Sequence, residues 1–104
     1  MPSSDTINLL LQHRLKIRHL VLLTAIAKHG SLLKAAASLH VTQSAATKAL
    51  RELEEALKIS LFDRSPHGVT PTAYGLSLID HAKAILSQVH FAAEELTNGA
   101  RSGK

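Results

Sequence analysis

The chain contains no cysteine and no tryptophan, and aromatic residues make up only 3% of its 104 residues. Without cysteine, neither a disulfide framework nor a thiolate metal site is possible. Proteins that read single-stranded nucleic acid stack bases on aromatic side chains, so this scarcity argues against that class of ligand. No apolar run is long enough to span a membrane, and the polar start at residues 1–5 is not typical of a signal peptide. We therefore expect a cytoplasmic protein whose core is built from leucine, isoleucine, valine and alanine.

Charge is distributed unevenly along the chain, whose net charge is +4. Residues 13–70 contain nine lysines or arginines and four acidic residues, whereas residues 71–96 contain only Lys83 against Asp80, Glu94 and Glu95. A basic segment followed by a mildly acidic one is typical of a polyanion-binding module joined to an assembly element. A surface that is merely solvated would give similar totals, so charge alone favours DNA only weakly.

Two helices are predicted before the middle of the chain. The first extends from Leu15 to His29, where apolar residues recur at helical spacing, and it ends at Gly30. Ser31 is the expected N-cap of the second helix. The small residues Ala35 and Ala36 on its inner face allow another helix to approach closely, as a helix-turn-helix requires.

A third helix, over residues 42–57, follows after a very short turn, with Thr42 as its N-cap. Short hydroxyl and amide groups near the N-terminal end of such a helix can reach base edges in the major groove of DNA. This helix is therefore the predicted recognition helix. Its predicted buried stripe consists of Val41, Ala45, Leu50, Leu53 and Leu57, and its outward-facing residues are Gln43, Ser44, Thr47, Lys48 and Arg51.

Two short strand-like segments and one long helix complete the pattern. The strands surround a turn signal at residues 65–68 and predict a wing over residues 59–70. The helix is predicted over residues 72–97, with Thr72 as the expected cap and Thr70, followed by Pro71 at the first helical position, as the competing choice. Its apolar residues alternate at spacings of four and three, which is a heptad seam: Leu78, Ala82, Ile85, Val89, Ala92 and Leu96. This seam predicts a dimer interface with a second copy, and docking on the chain's own first helix is the alternative.

Several short motifs occur in a fixed order along the chain. They are residues 18–20, 30–31, 35–36, 39, 41–45, 53–54 and 61–64, followed by Gly68, Thr72 and Gly75. With these motifs, residues 15–96 closely resemble the N-terminal DNA-binding domain of the LysR-type bacterial transcriptional regulators. The resemblance implies a mainly α fold, a winged helix-turn-helix of three helices and a two-stranded wing, followed by a long linker helix that pairs antiparallel with a second subunit.

The resemblance also implies a function and a domain organisation. Members bind interrupted palindromes in double-stranded promoter DNA and usually carry a C-terminal domain for a small-molecule inducer. This chain stops at residues 101–104, where that domain would begin, so we expect a DNA-binding fragment, engineered or naturally truncated, that senses no inducer. The expected segments are a flexible start (1–13), the winged domain (14–71), the linker helix (72–97) and a disordered tail (98–104). The protein is expected in the cytoplasm, at the nucleoid.

The expected DNA contacts begin with Gln43, whose amide can pair with adenine, although an exposed solubilising amide is the alternative. Thr47 could meet a thymine methyl group or could instead bond the helix carbonyl one turn earlier. Lys48 and Arg51 are expected on phosphates, with a contact to guanine as the alternative for either residue. A further alternative for Arg51 is a weak surface ion pair with Glu54 or Glu55.

Other expected contacts lie outside the recognition helix. The caps Ser31 and Thr42 leave backbone N–H groups available for phosphates, and Ser44, where the family often has proline, adds a hydroxyl. Arg64 is expected to hold the wing on the backbone or minor groove, with an Asp63 pair as the alternative. His67 replaces a frequent arginine at the wing tip, which implies a weaker, pH-sensitive phosphate contact. Peripheral phosphate contacts are expected from Lys34 and Arg18.

No catalytic, metal or cofactor site is predicted. The seven histidines lack the spacing of a zinc site, and no serine lies in a nucleophile-elbow context. His13, His19, His81 and His90 are expected to be surface or helix-face residues. The main competing function is a winged-helix protein-interaction module that uses the last helix as its working surface. An enzyme is a more distant possibility, because no motif supplies convergent titratable groups.

Overall fold

The computed structural model describes residues 3–101, which form five helices and a two-stranded antiparallel sheet. This architecture confirms the predicted winged helix-turn-helix followed by a long helix. The elements in chain order are α1 (Ser4–Arg14), α2 (Ile17–His29), α3 (Leu32–Ser38), α4 (Gln43–Leu57), β1 (Phe62–Ser65), β2 (Gly68–Pro71) and α5 (Ala73–Arg101).

The core lies where α2, α3 and α4 meet the first part of α5, and aliphatic residues dominate it. Gly30 ends α2 in a left-handed conformation with φ of 64°, and its N–H group donates to the Ile26 carbonyl. This confirms the predicted helix stop. The largest fully buried side chains are Leu20, Leu23, Ile26, Leu50 and Leu61.

The buried stripe of α4 differs from the prediction at its N-terminal end. Val41 is 46% exposed and Ala45 is also exposed, so their assignment to the stripe was wrong. Ala46 is buried instead, and the stripe continues through Leu50 and Leu53 at spacings of four and three. A residue one position along a helix is rotated by about 100°, which is enough to move it off the buried face.

Residues 4–14 are helical, so the prediction of a flexible start was wrong for this part of the chain. Ser3 caps α1, because its hydroxyl accepts a hydrogen bond from the Thr6 N–H group at 3.2 Å. Half-buried Ile7, Leu10 and Leu11 pack against the core. Sequence reasoning missed this helix because most of its residues are polar and its few apolar residues are only half-buried. Residues 1 and 2 lie outside the described part.

Helix α5 begins as predicted and continues further than predicted. The Thr72 hydroxyl accepts from the Gly75 N–H group at 3.1 Å, which confirms the cap. A Cβ atom at Gly75 would overlap the Leu61 carbonyl, so the start of α5 lies directly against the chain before β1. The helix includes residues 98–101, which corrects the prediction of a disordered tail there, and the rest of that tail lies outside the described residues.

The wing is attached to the loop between α2 and α3. In the sheet, Phe62 pairs with Pro71 and Ser65 pairs with Gly68. The Val69 N–H group donates to the Gly30 carbonyl at 3.2 Å. A Cβ atom at Gly68 would lie 2.6 Å from the same carbonyl oxygen, so only glycine allows this approach.

The side chain of His19 lies in the first turn of α2 and is buried, so of the two expected positions, surface or helix face, the surface position was wrong. Its Nδ1 atom accepts a hydrogen bond from the Lys16 N–H group at 2.9 Å. Burial, with a smaller contribution from the neighbouring positive charges of Arg18 and Lys16, lowers the pKa of His19, while Glu52 acts in the opposite direction. Only the unprotonated ring can accept this bond, so the native state favours the neutral form.

Stability should therefore depend on the protonation of His19. Because the pKa is lower in the folded state, its stabilising effect is complete above the ordinary value of 6.5 and is lost as pH falls below it. We expect H19N, which keeps an acceptor but does not titrate, to show a weaker loss of unfolding free energy between about pH 7.5 and about pH 5. Urea unfolding of both proteins at several pH values measures this, and parallel curves would contradict the assignment.

Candidate nucleic-acid interface

The position of α4 depends on its close contact with α3. Ala35 and Ala36 are 0% and 1% exposed, and these small side chains let the two helices approach each other. The Val41 N–H group donates a hydrogen bond to the Ala36 carbonyl at 3.0 Å. His40 adopts a left-handed conformation with φ of 58°, which turns the chain sharply between the helices.

The first turns of α4 present a polar surface. The Thr42 hydroxyl accepts from the Ala45 N–H group at 3.0 Å, which confirms the predicted cap. Five predicted contact residues line a single open concavity together with two acidic residues. These are Gln43, Ser44, Thr47, Lys48 and Arg51, with Glu52 and Glu55. The structure thus brings together on one helix face the side chains that the sequence analysis assigned to the recognition surface.

The alternative expected for the Thr47 hydroxyl was a hydrogen bond to a carbonyl of its own helix. In the described part of the chain, Thr24, Ser38 and Thr97 bond a carbonyl of the preceding helical turn, whereas no such bond is formed by Thr47. The Thr47 hydroxyl is therefore available for another partner.

The surface ion pair on α4 involves a different basic residue from the one expected. Lys48 Nζ lies 4.0 Å from Glu52 Oε1, and the side chains are 79% and 62% exposed. Within residues 3–101, Arg51 has no ion pair with Glu54 or Glu55. An exposed pair at this distance contributes little to stability, so Lys48 can exchange Glu52 for a phosphate at small cost.

Glu54 holds the wing to α4, a role that the sequence analysis missed. Its Oε2 atom accepts from the Leu61 N–H group at 2.7 Å and from the Phe62 N–H group at 3.3 Å. Sequence reasoning considered Glu54 only as a possible partner of Arg51. The available signal was its position shortly before a predicted strand, but helical spacing alone could not show that the chain folds back onto this carboxylate.

The wing presents its predicted residues to the outside. Arg64 and His67 are both exposed, on β1 and at the turn between the strands. No ion pair between Asp63 and Arg64 is present among the described residues, so the guanidinium remains available. The His67 N–H group donates to the Ser65 hydroxyl at 3.2 Å, which orders the tip of the wing.

The remaining predicted contact residues lie at helix starts. The Ser31 hydroxyl accepts from the Lys34 N–H group at 3.2 Å, so its role as a cap is confirmed. Lys34 is exposed on the first turn of α3. Arg18 is exposed on α2 and borders a groove that reaches Val41 at the start of α4. Phosphate contacts by these residues stay predictions.

The predicted dimer residues divide into two groups along α5. Ala82 is fully buried within the chain's own core, and Leu78 is half-buried against it. The assignment of Ala82 to a contact with a second copy was therefore wrong, because α2 already covers this part of α5. The later residues are open to solvent: Ile85 is 40% exposed, Val89 46% and Leu96 76%, and Ala92 is exposed as well.

Two further observations concern residues 3–101 only. They contain no group of three or more histidine, cysteine, aspartate or glutamate side chains placed to hold a metal ion. None of their helices combines the length and the apolar character that crossing a membrane requires.

The contact between Glu54 and the start of β1 should be measurable as stability. Replacing Glu54 with alanine leaves two backbone N–H groups without their charged acceptor, so we expect a loss of about 1–3 kcal/mol in unfolding free energy. E55A, a neighbour on the same helix, is the matched control and should change it by less than about 0.5 kcal/mol. Equal values for the two variants in urea unfolding would contradict the role of Glu54.

Comparison with known proteins gives a consistent result. The family model described as "Bacterial regulatory helix-turn-helix protein, lysR family" matches residues 17–76. The HTH-type transcriptional regulator GbpR of Azospirillum brasilense is 48% identical over 91 residues, which is 88% of this chain and 27% of that protein. The regulator PcaQ of Agrobacterium fabrum is 36% identical over 95 residues, covering 90% of this chain and 30% of that protein. The chain thus spans less than a third of the length of these curated relatives.

Solved structures of similar size also match. The crystal structure of a CbnR DBD–DNA complex superposes with a TM-score of 0.75 and 30% identity, covering 82% of this chain and 98% of that one. A BenM DBD complex with catB site 1 DNA gives a TM-score of 0.78 and 29% identity, covering 82% and 96%. The matched family segment, residues 17–76, contains α2 to α4 and the wing. The chain therefore belongs to the LysR family of bacterial regulatory helix-turn-helix proteins.

Proposed function

We propose that this chain binds double-stranded DNA in a sequence-specific manner as a dimer and is the DNA-binding part of a LysR-type transcriptional regulator. In this proposal α4 lies in the major groove, and the wing contacts the backbone or the minor groove. The expected ligand is an interrupted palindrome at a promoter, which places the protein at the nucleoid in the cytoplasm. Inducer binding would belong to a longer parent protein.

The polar first half of α4 is the observation that carries the proposal. Gln43, Ser44 and Lys48 are exposed, and within the described chain the Thr47 hydroxyl makes no bond to its own helix. A recognition helix needs such short donors and acceptors at its N-terminal end, where they reach base edges. The similarity to CbnR and BenM domains solved with DNA supports DNA as the ligand.

The wing and the basic residues of α4 supply the sequence-independent part of the proposed contact. Arg64 is exposed on β1, and Lys48 and Arg51 extend from α4. Phosphate neutralisation by such side chains releases counterions, so affinity should fall as salt concentration rises. Because Glu52 and Glu55 border the same concavity, the basic side chains must lie nearer the DNA backbone than the acidic ones do.

Sequence-specific binding can be tested by titrating a labelled palindromic promoter fragment at several salt concentrations. We expect the logarithm of the binding constant to decrease linearly with the logarithm of the salt concentration. The affinity for the palindromic duplex should exceed the affinity for a scrambled duplex by a factor of about 10³ or more. Equal affinity for both duplexes would refute the proposal and would favour the winged-helix protein-interaction module.

Gln43 should contribute to base selection. An amide that pairs with adenine contributes about 1–3 kcal/mol of discrimination for one base pair. We therefore expect Q43A to lose about fivefold to about 100-fold of the preference at one position, with a smaller effect on nonspecific affinity. Competition titrations against single-base operator variants measure this preference. An unchanged preference profile would remove Gln43 from the base-reading surface.

Lys48 should act on all sequences alike. K48M removes a charge from the proposed phosphate contact, so we expect weaker binding to specific and scrambled duplexes and a salt slope smaller by about one. K83M is the matched control, because Lys83 lies on α5 in the grooves beside α2 rather than on the α4 surface. If both variants reduce the salt slope equally, the effect comes from net charge and not from a contact at Lys48.

A further inference from the structure

The second half of α5 carries an apolar face that nothing in the described chain covers. Ile85 and Val89 are 40% and 46% exposed, and Leu96 is 76% exposed. The same seam begins at Leu78 and Ala82, which pack against the chain's own core. The exposed seam therefore continues directly from a buried one, and its spacing of three and four residues is that of a coiled-coil interface.

Polar residues flank this seam on one side only. His81, Gln88 and Glu95 follow one another at intervals of seven residues, so they lie in one row along the helix. All three are exposed, whereas the opposite row contains buried Ile79 and half-buried Leu86. Across residues 3–101, neither His81 nor Glu95 takes part in an ion pair within the chain.

The two possible orientations of a second α5 helix place this row differently. In a parallel pair, each row faces the opposite row of the other helix, so the imidazole of His81 would face the apolar side chain of Leu86. In an antiparallel pair, each row faces the equivalent row of the other helix. With Ile85 set against Val89, His81 aligns with Glu95 and Gln88 with its own symmetry copy, while Ala92 faces the helix surface at Ala82, whose own side chain stays buried in the core of its chain.

We propose that His81 of each copy of this chain bonds Glu95 of the partner subunit across an antiparallel pair of α5 helices, and that these two bonds set the register of the pair. This inference rests on the proposed dimeric function and adds the residues that determine register. The two bonds are related by the two-fold axis, with Gln88 meeting its copy between them. A self-complementary surface of this kind is what a two-fold dimer requires.

The location of the winged domain supports the same orientation. Its core covers α5 at Gly75, Ile79 and Ala82, whereas most side chains of α5 after Ala82 are exposed and Leu86 is half-buried. A parallel pair would bring both domains to the same end of the helices. An antiparallel pair places the free half of each helix beside the domain-bearing half of the other, so Leu96 comes to lie opposite half-buried Leu78 of the partner subunit.

A mixing experiment with two charge variants tests the pairing. In H81E homodimers, the introduced carboxylate would face Glu95 at both contacts, and in E95K homodimers the introduced ammonium group would face His81 at both. In the mixed dimer, a carboxylate would face a basic side chain at each contact. We expect each single variant to dimerise about three- to tenfold more weakly than the parent chain at low salt, and the mixture to form heterodimers above the statistical half.

Native mass spectrometry of differently tagged chains after subunit exchange measures the heterodimer fraction. The matched control replaces E95K with E94K, since Glu94 lies on another face and bonds His90 of its own chain at 3.1 Å. The mixed dimer of H81E with E94K keeps one His81–Glu95 contact and has one Glu–Glu contact, which is the average of the two homodimers, so its heterodimer fraction should not exceed one half. The double variant H81E/E95K should regain the dimer affinity of the parent chain.

Two outcomes would overturn the inference. A heterodimer fraction at the statistical value for H81E with E95K would show that these residues do not face each other. A parent chain that stays monomeric in sedimentation equilibrium at micromolar concentration would show that the seam does not bind a second copy. Failure of the proposed function is separate, because it would appear as a normal dimer with equal affinity for palindromic and scrambled DNA.

Discussion

The close contact between α3 and α4 is the constraint on which the rest of the structure depends. Ala35 and Ala36 are almost completely buried, and larger side chains there would push the two helices apart. Because of this contact, one face of α4 enters the core at Ala46 and Leu50 while the opposite face stays open. The exposed row from Gln43 to Arg51 is therefore a consequence of packing. A recognition surface needs this rigid support, since side chains must reach bases in one fixed geometry.

Hydrogen bonds donated by backbone N–H groups hold the wing in place. Glu54 accepts from two N–H groups at the start of β1, and the Gly30 carbonyl accepts from Val69 on β2. A two-stranded hairpin is only marginally stable alone in water. These contacts tie it to α4 and to the loop before α3, so the wing keeps a fixed position relative to the proposed major-groove helix. Arg64 and His67 can then extend outward without taking part in folding.

Helix α5 changes character near residue 83. Its first part completes the core, where Ile79 and Ala82 are buried, and the remainder carries exposed apolar residues. A chain of this size has too little core to cover a helix of 29 residues, so the second half needs another surface. The first residues of the predicted seam, Leu78 and Ala82, pack against the chain itself. Docking on the chain's own helices describes the first part of α5, and pairing with a second copy is the proposal for the rest.

The sequence by itself determined the order of the elements from α2 onward, the caps of α3, α4 and α5, and the outward residues of α4. These features are local, because a cap or a helix face depends on neighbours within one or two turns. Only the tertiary structure decided that residues 4–14 form a helix and that Glu54 binds the wing. It also decided that His19 is buried and that Ala82 belongs to the core. Each of these depends on which distant element packs alongside, and contacts between residues far apart in the chain leave no periodic signal in the sequence.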